Sequence, residues 1–234
     1  VVYRNKMSKI SVNGGLKLKT NQNYFEDVQL VDRRLTIGSL GINYSRGFFG
    51  GILGFDLSYD RGLPWFRSAD DHEKEIYDPK GRFDRYGLNI NWYKPVMLGK
   101  QRFTYRLVGV GQYTPDVLYG SEKISIGDEY TVRGYKGDSI SGDKGYYVKN
   151  ELSYNLNIPK IGNISPYIGY DFGETWNNEV HDMYRYGYIR GFAFGVKYYG
   201  ETFNLDIAYA KPDKVSGYVR KPSDEVYLTF GIKF

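Results

Sequence analysis

The last nine residues, Val226-Tyr-Leu-Thr-Phe-Gly-Ile-Lys-Phe234, alternate apolar and polar or small side chains with a period of two. Val226, Leu228, Phe230, Ile232 and Phe234 share one face, while Tyr227, Thr229, Gly231 and Lys233 share the other. Successive side chains of a strand point to opposite faces, whereas a helix repeats about every 3.6 residues. The same alternation recurs upstream. Phe203, Leu205, Ile207 and Tyr209 oppose Asn204, Asp206, Ala208 and Ala210, and Phe192, Phe194, Val196 and Tyr198 oppose Gly191, Ala193, Gly195 and Lys197. Ile168–Phe172, Leu152–Leu156, Leu88–Trp92, Leu53–Tyr59 and Ile10–Leu18 repeat it. Two strands are less regular, one over 102–113 and one over 35–46, where the phase slips near Gly38 and a bulge is expected. The pattern predicts about ten strands and no helix.

Bulk composition narrows the class. The 234 residues include 29 glycines, 25 tyrosines and 13 phenylalanines, with 18% aromatic and 25% charged residues. Disordered chains are poor in aromatics, so the chain folds. There is no cysteine, which excludes a disulfide framework and cysteine-ligated metal. The net charge of +5 comes from bases interleaved with acids, so no nucleic-acid footprint is indicated. No run of about 18 apolar residues is present, so no transmembrane helix is predicted. The mean hydropathy of −0.53 would suit a soluble protein. It suits a membrane β-barrel equally, because such a barrel shows lipid only every second side chain.

The connections discriminate between the two. They are short at 46–51, 95–101, 157–165 and 199–202, and longer at 60–86, 114–145, 174–187 and 211–225. The 20–28 link falls on the long side but is itself short. Outer-membrane barrels show this asymmetry between tight periplasmic turns and long external loops. Trp65, Trp92, Tyr113, Trp176, Tyr186, Tyr188, Tyr198 and Tyr199 would form the interfacial aromatic girdles. The fold class expected is therefore all-β, a transmembrane antiparallel barrel in the bacterial outer membrane.

Catalytic readings find little support. His72 and His181 sit in polar loops among carboxylates, whereas a metal site needs several ligands on rigid elements. Gly137-Asp138-Ser139-Ile140-Ser141-Gly142 has one residue too many for a serine elbow and no histidine to activate it. Gly109-Val110-Gly111 lacks a third glycine and a following helix. No enzyme activity, cofactor or metal is expected.

The connection 114–145 stands apart. A loop of that length is usually functional, and this one carries Ile124, Ile126, Tyr130, Val132 and Tyr135 among its charges. Such anchors suit a loop folded onto another surface. Arg133, between Val132 and Gly134, would then be desolvated and need a carboxylate. Asp171, Glu151, Asp206 and Asp56 lie on the polar faces of the strands. Asp171 is favoured because Gly169 and Gly173 leave room beside it.

Val132-Arg133-Gly134-Tyr135, followed by SISGDKGYYVKNELSY to Tyr154, resembles the VRG(F/Y) signature of the outer-membrane transporter superfamily shared by barrel-assembly and secretion proteins. The fuller pattern is similar to the two-partner secretion transporters of the TpsB, haemolysin-activator type. The similarity extends to YFEDVQLVDRRLT at 24–36, YDRGLPWF at 59–66, DPKGRFDRY at 78–86 and PYIGYDFG at 166–173. It implies a sixteen-stranded barrel preceded by two POTRA domains and a plug helix, of which 1–234 is the C-terminal barrel portion. The 114–145 segment would be the sixth external loop, folded into the lumen. Arg133 would be its tip, with Asp171 as the barrel-wall partner. Phe230 and Phe234 would be the C-terminal strand signal, used with the barrel-assembly machinery during insertion. The implied partners are outer-membrane lipid and a large β-helical exoprotein of the TpsA type, exported without ATP. An assembly factor of the same superfamily, an outer-membrane hydrolase and a simple porin are the alternatives.

Overall fold

The structure, a computed structural model, describes residues 1–179, 185–220 and 222–233. His181 and Phe234 lie outside the described residues. Ten long strands dominate: β2 (Ser8–Phe25), β3 (Val28–Phe48), β4 (Gly51–Leu63), β5 (Asp84–Leu98), β6 (Gln101–Tyr113), β9 (Lys144–Tyr154), β11 (Gly162–Trp176), β12 (Tyr186–Tyr199), β13 (Phe203–Val215) and β14 (Glu225–Ile232). Four short strands complete the set: β1 (Tyr3–Arg4), β7 (Ile124–Ile126), β8 (Ile140–Gly142) and β10 (Leu156–Ile158). A 3-10 turn covers Gly120–Glu122.

Sequential strands pair antiparallel in one sheet, in the order β1-β2-β3-β4-β5-β6-β9-β11-β12-β13-β14, with β10 on β11. Among the described residues no ladder joins β14 to β2, so the sheet has two edges. The separate hairpin of β7 and β8 belongs to the 114–143 loop. Two-residue turns at Phe49-Gly50 and Gly99-Lys100 lie on the short-turn side. The 20–28 link, on the long-loop side but expected to be short, is a two-residue turn at Glu26-Asp27, both with left-handed φ of 45° and 66°.

The two faces differ as the alternation requires. Leu16, Ile42, Leu57, Phe194, Ile207 and Leu228 are exposed and apolar across the sheet. In water so wide an apolar surface would demand a partner, whereas hydrocarbon accepts it. Phe230 belongs to this exposed face. Aromatic contacts run along its loop end, Tyr59–Tyr86–Tyr113 and Tyr146–Trp176–Tyr186–Tyr188. Tyr199 is a correction to the girdle: it faces the polar side, beside Lys197 and Asp206.

The bulge expected near Gly38 is absent, for the ladder runs unbroken through Gly38↔Leu16 and Gly38↔Arg61. The phase slips for another reason. Leu35 and Ile37 are buried with Phe83 and Leu118 on the loop-covered face, while Leu40 and Ile42 are exposed on the other. Both faces are apolar in turn, so the pattern changes phase without any change of register. Register shifts lie instead at Asn23/Tyr24, where β2 pairs with β3, and at Arg190/Gly191, where β12 pairs with β13.

Candidate functional site

The loop from Thr114 to Asp143 lies against the polar face of the sheet. Ile126, Val132, Tyr135 and Ile140 from the loop form one buried cluster with Ile189 of β12. Tyr130, expected as an anchor, is 72% exposed. Its neighbour Asp128 accepts the N–H groups of Tyr130 and Thr131 at 2.8 Å each, and this tight turn points the Tyr130 ring outward.

The tip is built around Arg133, which is 3% exposed, and Asp171 of β11, which is fully buried. Arg133 Nε donates to Asp171 Oδ2 at 2.6 Å and Nη2 to Oδ1 at 3.0 Å, a two-pronged pair. Nη1 donates to Glu151 Oε2 of β9 at 3.4 Å, and Lys197 of β12 pairs with the other oxygen of Glu151. Burial opposes the charge on Arg133, but the Asp171 hydrogen bonds and attraction outweigh it and raise its pKa. Register explains the convergence. Asp171 pairs with Lys149 on β9 and Gly191 on β12, so residues two places along point to the same face beside it.

Glycines make the socket. A Cβ on Gly169 would lie 2.4 Å from Arg133 Nη2, and one on Gly191 would lie 2.3 Å from the Arg133 carbonyl oxygen. Gly134 has φ of +97° and packs on Pro212 of β13, so the tip itself needs a residue free to take left-handed backbone. Tyr135 directs its hydroxyl at two carbonyls, Arg190 O at 2.6 Å and Lys214 O at 2.9 Å, and its single proton serves one at a time. Burial pushes that hydroxyl up to about 12.

The last strand also reads the tip. The Gly134 N–H donates to Tyr227 Oη at 3.0 Å, Tyr227 donates to Glu225, and the Lys136 N–H donates to Glu225 Oε1 at 2.8 Å. Replacing Tyr227 by Phe removes the acceptor for a buried N–H, at a cost of about 1–3 kcal/mol. Faster hydrogen exchange at Gly134 in that variant is the expected outcome, and an unchanged rate would contradict it.

A second set of charges, which sequence reasoning missed, holds the base of the loop. Glu122 is 1% exposed and accepts Lys19 Nζ at 2.6 Å and Arg85 Nη1 at 3.1 Å, while Arg85 also pairs with Asp60 at 2.7 Å. Asp143 accepts the N–H of Leu118 at 2.8 Å and of Asn178 at 2.7 Å. The signal was inward-facing Lys17, Lys19 and Arg85 on strands whose own acids are few. Glu122→Ala is expected to cost about 1.5–3 kcal/mol of loop anchoring. Protease cleavage within 114–143 in intact membranes should quicken several-fold, and unchanged cleavage would show that Glu122 does not anchor the loop.

Of the other acids on the polar face, Asp206 accepts Tyr167 Oη at 3.1 Å and Asp56 accepts Asn43 at 2.6 Å, so neither is drawn to Arg133. Comparison with known proteins adds the family. The model of the haemolysin secretion/activation protein ShlB/FhaC/HecB matches residues 1–198. The chain belongs to that family. The family is of the two-partner secretion type that residues 132–154 resemble, and the chain's place is the bacterial outer membrane. The outer membrane transporter CdiB of Escherichia coli is 34% identical over 200 residues, 84% of this chain and 33% of the relative. The hemolysin transporter protein HpmB of Proteus mirabilis is 30% identical over 197 residues, 81% of this chain and 34% of the relative. Among solved structures, CdiB from Escherichia coli superposes with a TM-score of 0.90 at 29% identity, over 99% of this chain and 43% of that one. CdiB from Acinetobacter baumannii gives 0.80 at 26%, over 98% and 40%. The chain thus spans about a third of the length of the curated relatives it matches.

Proposed function

We propose that this chain is the C-terminal part of a sixteen-stranded outer-membrane barrel that exports a large β-helical exoprotein of the TpsA type without ATP. The apolar face would meet lipid and the polar face would line the lumen. The exported chain would pass along that polar face in extended form, where exposed charges and amides give weak contacts that release as readily as they form. The Thr114–Asp143 loop would occupy the lumen and organise the passage, with Arg133–Asp171 as its latch.

The observation that carries this reading is the seating of the tip. An arginine flanked by glycine is fixed by carboxylates of two neighbouring strands, and backbone from a third strand closes around it. A loop meant only to cover an external surface would not require a buried charge pair, because such a pair costs desolvation on both sides.

Reconstitution tests the export reading. The full-length protein in liposomes, without nucleotide, is expected to move the exoprotein's secretion segment to a protease-protected interior. Transport only with ATP would contradict the reading. Insertion of other barrel proteins in place of exoprotein transport would favour an assembly role instead.

A further inference from the structure

Three arginine residues, Arg33, Arg34 and Arg67, lie beside the bend at Trp65–Ser68. They line a cavity of about 480 Å³ together with Asp32, Ala69 and Tyr119. The bend is pinned to β3: the Ala69 N–H donates to Arg34 O at 2.8 Å, the Thr36 N–H to Ser68 Oγ at 3.2 Å, and Thr36 Oγ1 to Trp65 O at 2.7 Å. The arginines at its wall, Arg33, Arg34 and Arg67, are therefore carried on fixed backbone.

The bend is strained in a way that packing does not repay. Phe66 and Arg67 both occupy the left-handed region, with φ of 55° and 59°, and the Ser68 N–H closes the turn on Trp65 O at 3.0 Å. Glycine, asparagine or aspartate normally take two such places in succession, because a bulky side chain crowds the backbone there. Phe66 is 63% exposed, so its ring gains little from burial. What the turn achieves is the placement of Arg67 at the cavity. Strain of this kind points to a functional demand on the position.

The charges are also uncompensated. Among the described residues, no carboxylate lies within 4.0 Å of a guanidinium nitrogen of Arg33, Arg34 or Arg67. Asp32 turns to Gln22, whose Nε2 donates to it at 3.5 Å. The Arg33 guanidinium stacks on the Tyr119 ring at 3.7 Å, a ring that also receives Lys74 Nζ at 4.6 Å. Arg33 Nε is buried and has no hydrogen-bond partner among the described residues. Like charges gathered without a counter-charge are costly, and an anion in the cavity would offset them.

We propose that this cavity binds a phosphate group, as a phosphomonoester or the free dianion. A single carboxylate would neutralise one of three cations, whereas a phosphate supplies two charges and enough oxygens for several forks. The residues stand at the long-loop end of the sheet, on β3 and the 64–83 connection, so a phosphorylated lipid headgroup and free phosphate are both sources of that chemistry.

The test uses the full-length protein in lipid nanodiscs, titrated with inorganic phosphate by calorimetry. In parallel, nanodiscs carrying bis-phosphorylated or dephosphorylated lipid A are weighed by native mass spectrometry. Arg33→Gln and Arg67→Gln are each expected to weaken binding about tenfold, with Lys160→Gln, on a short turn at the other end of the sheet, as the charge-matched control. Arg67 is exposed, so its variant reports on the site even where Arg33→Gln lowers insertion. Binding in the phosphate arm assigns the free ion, and binding confined to bis-phosphorylated lipid assigns the headgroup. Either supports the proposal. No binding in both arms, or binding that survives both substitutions, overturns it.

Discussion

Arg133→Ala is expected to leave the barrel inserted and to cut export at least about tenfold. The substitution strands Asp171, a carboxylate with no exposed surface, among groups arranged to hold a cation. Removing one partner of a buried ion pair costs about 3–5 kcal/mol, because the remaining charge is left unpaired in a poor solvent. Lys197 remains on Glu151, and the Asn150 N–H that reaches Asp171 Oδ1 at 3.3 Å does not replace the fork that Arg133 offers. The loop tip then loses its seat while the strand ladders, which hold the barrel, are untouched. Export and barrel level in the same membranes measure the two effects separately. Wild-type export by this variant would remove the latch from the account.

Gly191→Ala is expected to act nearly as strongly, although it changes no charge. Its new Cβ would meet the Arg133 carbonyl oxygen at 2.3 Å, a distance at which the tip must withdraw or β12 must shift. Overpacking of this kind typically costs about 1–3 kcal/mol and displaces the smaller, less constrained partner, here the loop. Gly231→Ala is the matched control, since nothing lies within 4 Å of its Cβ position. Protease cleavage in the loop and export should both change in Gly191→Ala and neither in Gly231→Ala. Equal behaviour of the two would mean that the tip does not rest on Gly191.

Much of this architecture is legible in the sequence because strands write their two faces in alternate residues. The run ending at Lys233 and those at 203–210 and 192–198 have the expected faces and pair as neighbours. The pattern misled at Gly38, where a buried cluster beneath the loop makes the second face apolar as well. It was silent at Arg190/Gly191, because a bulge is a property of pairing between strands and not of one strand's composition. At the site, Arg133 and Asp171 were joined by charge and by the flanking glycines, and they lie 2.6 Å apart. Glu225 and Tyr227 could not be found that way. Their contacts with Gly134 and Lys136 each span about ninety residues of sequence, and an acid beside a tyrosine on a strand carries no mark of its partner. Glu122 escaped for a similar reason, since its cations come from β2 and β5.

The central claim is that Arg133 and Asp171 act as one unit in seating the loop for export. A double-mutant cycle addresses it directly, with export measured at equal barrel levels for Arg133→Ala, Asp171→Ala and the pair combined. The account predicts that the double variant exports no worse than the more impaired single one, because the second substitution removes a charge already stranded. Losses that multiply in the double variant would contradict it, and would mean that the two residues serve export independently.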